Sequence, residues 1–361
     1  MTINHLPTEV RVVTDQPLGI FSAAEGFVFL SGLIAGWVYT RKFREHGAAG
    51  LWSASENRAK SIYWWHVGGL LAAFTCVQLT EHVLGFCSPA MPRLFFEHPL
   101  ESLGLGVSLL YQPGLLDLLP MYCAFVMLLP MTIRALEAGR KWLVLGISGA
   151  VWLAIQWAPP VDGAPLYPIN TGSFNMFAWQ FLFLIGVTIG HARISGAQQV
   201  ARPNPWVVAA AATVALYGFG LHHAYWASFW PEGTLGVLLN KPALGLFRMA
   251  DFGCVAYLVG IFGAQFPKAL TWRPLAFLGQ HSLAVVAAQS VTVLALLQFS
   301  TLFDTVLSRT LTTAVVVGLL FAVAGTRQAV LAHFRAANAA RIGTRQPPVP
   351  PLVRPDDVRA A

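Results

Sequence analysis

Long apolar runs, broken by short polar clusters and by glycine or proline, follow one another along most of the chain, and each is continuous rather than alternating. They lie near residues 20–40, 61–84, 114–133, 142–157, 174–192, 206–226, 243–266, 274–298 and 308–325. About 20 apolar residues is the length a helix needs to cross a ~30 Å hydrocarbon layer. Continuity favours helices over barrel strands, whose residues alternate between lipid and lumen. The pattern predicts an all-α polytopic integral membrane helix bundle over residues 20–325, with nine complete spans. Beyond residue 326 the chain becomes rich in Arg, Ala and Pro, and is expected to be a basic cytoplasmic tail, disordered after a helix end.

Composition agrees: 56% hydrophobic residues against 11% charged, with a mean hydropathy of +0.59, excludes an ordinary soluble domain. The net charge of +7 has a topological explanation. If the loop after the first span is cytoplasmic, all 23 basic residues fall on that side except Arg11, Arg93, Lys241 and Arg309, and Arg248 within a span. The excess then faces the anionic inner leaflet, and no nucleic-acid partner is needed. The same orientation puts the carboxyl terminus in the cytoplasm and residues 1–19 outside, although these show no signal-peptide pattern.

Against this apolar background the ionisable residues stand out. Glu25 opens a stretch that is otherwise apolar to Tyr39, and a charge there costs enough to mark a functional candidate. Placed by helical rise, His5, Glu25, Asp117, Asn175, Gln180 and Arg248 fall toward the outer face and His66, His281 and Ser282 toward the inner one, each within roughly 10 Å of a surface. Ten histidines invite a metal, but no His-Glu-x-x-His run exists and His222 and His223 diverge by ~100° on a helix, so no metal site is expected. The cysteines at 76, 87, 123 and 254 lack paired spacing, and only Cys87 falls in an outer loop. Pro159, Pro160, Gly163 and Pro165 mark another outer loop, a rim for an acceptor site or a plain connector.

Six short motifs, in order, carry a resemblance. They are Ala24-Glu25-Gly26-Phe27-Val28-Phe29-Leu30-Ser31-Gly32; Tyr63 to His66; Leu116-Asp117-Leu118-Leu119-Pro120-Met121-Tyr122; Asn175 with Ala178-Trp179-Gln180; Lys241 with Arg248; and Leu278-Gly279-Gln280-His281-Ser282-Leu283. Together they resemble the OpgC family, membrane proteins linked to succinylation of osmoregulated periplasmic glucans and related to the type-three membrane acyltransferase superfamily. Asn4-His5-Leu6-Pro7 looks like the end of that family's first helix. On this resemblance residues 1–19 are the outer end of a truncated helix plus a periplasmic loop, and the intact fold has ten spans.

The resemblance implies a bacterial inner-membrane O-acyltransferase that moves an acyl group, succinyl above all, from cytoplasmic acyl-CoA to hydroxyls of periplasmic glucans. His5 is then the general base, because imidazole titrates closest to neutrality. Glu25 is expected to orient it, and Arg248 to hold a succinyl carboxylate or the developing oxyanion. Asp117, Tyr122, Asn175 and Gln180 are candidate sugar partners, Trp179 a stacking surface, and His66, His281 and Ser282 donor-side groups. Duller readings stand beside these. Glu25 and Arg248 fit a structural ion pair, with Asp251 as another partner for Arg248. His66 and Trp179 fit interfacial aromatic belts, His281-Ser282 a helix–helix hydrogen-bond pair, and His5 a solvated terminus. A different acyl group or glycan, a transporter or flippase, and a non-catalytic scaffold remain open as alternatives.

Overall fold

The computed structural model describes residues 2–85, 93–112, 114–157, 172–196, 203–223 and 234–343. Cys87, the 159–165 loop and the end of the tail from residue 344 lie outside the described residues. A 3₁₀ turn, Thr2–His5, and a four-residue helix, Arg11–Thr14, lead into α1 (Ala23–Leu84). Then come α2 (Leu118–Glu137), α3 (Lys141–Trp157), α4 (Met176–Ile194), α5 (Pro205–His222), α6 (Leu246–Gln265), α7 (Arg273–Gln280), α8 (Ser282–Leu296) and α9 (Val306–Gly343). The described residues contain helices and no strand.

Local chemistry sets several helix starts. Ser22 and Glu25 form a reciprocal capping box on α1, satisfying amides that have no partner inside the helix. Asn175 caps α4, and Asn204 with Pro205 opens α5.

Although α1 is 62 residues long, it is two arms rather than one rod. In a straight helix, Phe27 and Ala59 would stand ~48 Å apart. Yet adjacent residues of α2 reach both: the Tyr122 hydroxyl donates to Phe27 O (3.2 Å) and the Cys123 thiol to Ala59 O (3.6 Å). The chain therefore doubles back, and Gly47, with non-helical angles of φ 67° and ψ −166°, is the break. Glycine suits that position because a Cβ disfavours positive φ.

The first arm packs closely on α4 through two reciprocal glycine pairs. A side chain on Gly32 or Gly36 would collide with the backbone at Phe183 or Val187, and one on Gly186 or Gly190 with the backbone around Phe29 or Leu33. Such small-xxx-small stripes let membrane helices approach where no hydrophobic effect drives them together. Phe125, Phe183, Trp179, Leu129 and Ile133 fill the core. The most enclosed span is α2 and the least is α9, whose outer apolar side chains suit lipid.

The expected count of nine spans is not supported. Among the described residues, six helices are long and apolar enough to cross a membrane, or seven if α7 and α8, bent by 88°, make one broken span. The discrepancy has three physical sources. The 20–40 and 61–84 windows are the two arms of α1, which enters the count once, α3 has only 17 residues, and the 274–298 window is broken at His281. At the other end α9 continues past residue 326 to Gly343 without interruption.

Candidate active site

Two cavities among the described residues hold candidate groups. The first, about 290 Å³, is lined by His5 together with Asn4, Arg11, Asp15, Ser22, Asp117, Ser173, Lys241, Gln289 and Ser290 among others. His5 is the last residue of the 3₁₀ turn, and its neighbours hold it in place. The Thr2 hydroxyl donates to Gln289 Oε1 (2.8 Å), the Asn4 amide to Thr14 O (3.1 Å) and Asp15 Oδ1 (3.2 Å), and Leu6 is fully buried beside Val293 and Val316. A solvated, frayed histidine does not describe this arrangement. Burial, then the positive charges of Lys241, the terminal amine and Arg11, lowers the His5 pKa to about 4, against the opposing charge of Asp15. The imidazole is neutral at physiological pH.

Asp117, at the start of α2, lines the same cavity and is almost fully buried. Its Oδ2 accepts from the Ser173 amide at 2.7 Å. Burial raises its carboxyl pKa, and that hydrogen bond opposes the rise.

Glu25 and Arg248 are placed differently. Both are buried, at 0% and 3% exposure, and the Arg248 Nε donates to Glu25 Oε1. The other oxygen, Oε2, accepts from the Ser22 amide (2.9 Å) and hydroxyl (2.8 Å). Both carboxylate oxygens are thus engaged by the α1 cap and by α6, and neither Glu25 nor Arg248 lines the first cavity. Asp251 accepts from the Ile20 amide (2.8 Å), so it fixes the entry to α1. This geometry fits the structural ion-pair reading and puts neither side chain on the wall of the His5 cavity, although the buried Arg248 Nη2 has no hydrogen-bond partner among the described residues.

Three further expected sugar ligands are also scaffold. Asn175 Oδ1 accepts from the Phe177 (3.0 Å) and Ala178 (3.3 Å) backbone amides, while its own backbone N–H donates to Pro242 O (3.0 Å). Trp179 is fully buried, and its indole N–H donates to Pro242 O (3.1 Å) and Lys241 O (3.3 Å), so no face is open for stacking. Gln180 joins α3 to α4: its amide donates to Ser148 O (2.9 Å), and its Oε1 accepts from the Ser148 hydroxyl (2.6 Å). From α3, the Trp152 indole donates to Leu244 O (2.9 Å) and Gln156 to Ala243 O (2.8 Å). Two helices therefore clamp the backbone of 241–244, the segment that brings Lys241 into the cavity.

The second cavity, about 390 Å³, is lined by Phe27, Ser31, Tyr39, Arg58, Tyr122, Ser282 and Val286 among others. Val286 belongs to both walls. Tyr122 faces this second space, edge-on to Phe27 and Phe183. Of the donor-side candidates, Ser282 lines it at the first turn of α8. His281 stands at the 88° break with its ring 5.3 Å from Phe277. His66 is fully buried and its Nε2 is 3.1 Å from Gly106 O. Because a carbonyl only accepts, Nε2 carries the proton there. Trp64 and Trp65 are exposed beside it and suit a lipid interface, but His66 itself is interior.

The sequence reading did not single out Gln289 and Ser290, and it left Lys241 without a role. Gln289-Ser290 is a polar doublet inside an apolar window, a signal that was available. Nothing local predicts that Lys241 faces His5, since the two come together only through the fold. Comparison with curated proteins and with solved structures returned no match. The family comparison matched residues 1–330, more than nine-tenths of the chain. The chain belongs to the OpgC protein family.

Proposed function

We propose that this protein is an integral membrane O-acyltransferase of the bacterial inner membrane that carries an acyl group, succinyl by preference, from cytoplasmic acyl-CoA to hydroxyls of periplasmic glucans. The observation that carries the reading is a neutral, anchored His5 in a polar cavity of a chain from the OpgC family. The positive-inside bias favours the His5 cavity on the periplasmic side and the α9 terminus in the cytoplasm. The second cavity, behind Val286, suits a donor arriving from the other face.

In this reading a glucan hydroxyl, held by Asp117 and Ser173, gives its proton to the His5 imidazole as its oxygen attacks the thioester carbonyl carbon. The C–O bond forms, the C–S bond breaks, and the imidazolium returns the proton to the departing thiolate, leaving ester, thiol and neutral His5. The low pKa of His5 makes it a modest base, but one that is in the right protonation state at neutral pH.

The test is mass spectrometry of periplasmic glucans from a strain lacking the gene, complemented with the native gene or its His5→Ala variant. Acyl groups lost on deletion, restored by the native gene and not by the variant are expected. Glucans unaltered by deletion would remove this acceptor and favour another envelope glycan or a transport role.

A further inference from the structure

We propose that the Lys241 ammonium recognises the free carboxylate of a dicarboxylic acyl chain, and so selects succinyl over an uncharged donor of equal length. The inference rests on the acyl-transfer reading above and adds what sets its acyl specificity.

Three observations point to Lys241. First, it lines the His5 cavity together with only one other described cation, Arg11. Arg11 is largely exposed and lies 3.6 Å from Asp15. Lys241 forms no ion pair within 4 Å among the described residues, and its Nζ stands 5.7 Å from the Phe174 ring centroid. A half-buried cation that lacks an anion gains most from receiving one.

Second, the backbone beneath Lys241 is fixed. Trp179, Asn175, Trp152 and Gln156 all donate hydrogen bonds to carbonyls of 241–244, and the Ala243 amide donates to Asn240 Oδ1 at 2.7 Å. Four side or main chains spent on one short loop make a preorganised pedestal, and preorganisation is what a recognition group needs. Third, the other cation that a dicarboxylate might use, Arg248, is buried against Glu25 and absent from the cavity wall.

Recognition and chemistry are coupled through one field. The charge of Lys241 is, after burial, the largest influence holding the His5 pKa down. A carboxylate seated on Lys241 cancels that charge and strengthens the base. Glu25, Arg248, Asp15 and Asp117 act on the same ammonium, and the terminal amine, Arg11 and Asp15 on the same imidazole, and they remain in place whichever donor binds.

The experiment uses the full chain in lipid nanodiscs, with a purified periplasmic glucan as acceptor and succinyl-CoA or butyryl-CoA as donor. Lys241→Met is expected to lower kcat/KM about 10- to 100-fold with succinyl-CoA and less than about 3-fold with butyryl-CoA. Lys241→Arg should recover part of the succinyl loss. With butyryl-CoA, the acid limb of the Lys241→Met profile should move upward from that of the native protein, a shift that a merely structural lysine would not produce. Parallel losses with both donors would overturn the inference and make Lys241 an oxyanion or structural group. A native protein that uses both donors equally well would also overturn it, while leaving acyl transfer intact. A native protein that transfers neither acyl group, with melting intact, would defeat the acyl-transfer reading itself.

Discussion

The His5 cavity and the Glu25–Arg248 centre begin within a few residues of each other on α1 and use charge in opposite ways. At the centre, cation and anion are buried together, and every oxygen of the carboxylate has a donor. In the cavity, Lys241, Asp117 and His5 face open space, and none is consumed by an ion pair with another. Depth in the membrane therefore identifies a costly charge but not its employment. Pairing does that: a charge matched inside the protein holds helices, and one left facing a cavity is available to substrate.

Separating the members of the buried pair is expected to have the largest effect. Arg248→Met leaves Glu25 charged and uncompensated, a defect worth about 3–5 kcal/mol. Thermal unfolding in detergent should show severe destabilisation, and the double variant Glu25→Gln with Arg248→Met should recover much of it. If Arg248→Met instead melted like the native protein while losing transfer, Arg248 would be a substrate ligand and the contrast would fail.

The opposite signature is expected in the cavity. His5→Ala should lower turnover by roughly 10²–10⁴-fold, with melting close to native, because Thr2, Asn4 and Leu6 anchor the segment without the imidazole. Loss of folding in this variant would make His5 a structural residue.

Residues with a chemical reputation were readable from the sequence, and most of their partnerships were not. The helical membrane class followed from unbroken apolar windows; His5 was picked out by the family resemblance and Asp117 as a polar residue in an apolar window, and the two line one cavity. The span count failed at His281, where the 274–298 window bends by 88°, and at α3, which is only 17 residues long; the fold-back at Gly47 falls in the charged segment between the 20–40 and 61–84 windows. Glu25 and Arg248 were both flagged, with an ion pair as one reading of them; 223 positions separate them, and packing shows the contact to run through Arg248 Nε, while the buried Nη2 has no hydrogen-bond partner among the described residues. Asn175, Trp179 and Gln180 look like carbohydrate ligands by type; their buried hydrogen bonds make them the frame of the Lys241 loop.

That reassignment predicts a smaller effect. Trp179→Phe removes a donor from the 241–242 carbonyls, at a cost of about 1 kcal/mol. Melting should fall slightly and the preference for succinyl over butyryl should narrow a few-fold, with the KM for glucan unchanged. A stacking platform would behave otherwise, since removing a base-like stacking contact costs about 1–3 kcal/mol in binding. A glucan KM raised tenfold or more with native melting would restore Trp179 to the acceptor site.

The smallest expected effect is a near absence of change. An ordinary imidazole titrates near 6.5, so between pH 7 and pH 5 its neutral fraction would fall roughly twentyfold or more. In the native protein, burial and the positive charge of Lys241 bring the His5 pKa to about 4. The base then stays mostly neutral at pH 5, and kcat/KM should hold nearly constant down to that point before falling through pH 4. The sign for stability is the same. As pH drops below 6.5 the unfolded chain binds a proton at His5 before the folded one does, so whatever stability the neutral buried form contributes is lost between 6.5 and 4. Measured with butyryl-CoA, so that no carboxylate neutralises Lys241, an acid limb near 6.5 would mean that His5 is solvated. The cavity would then lose the property that separates it from the buried pair, a charge left uncompensated so that substrate can answer it.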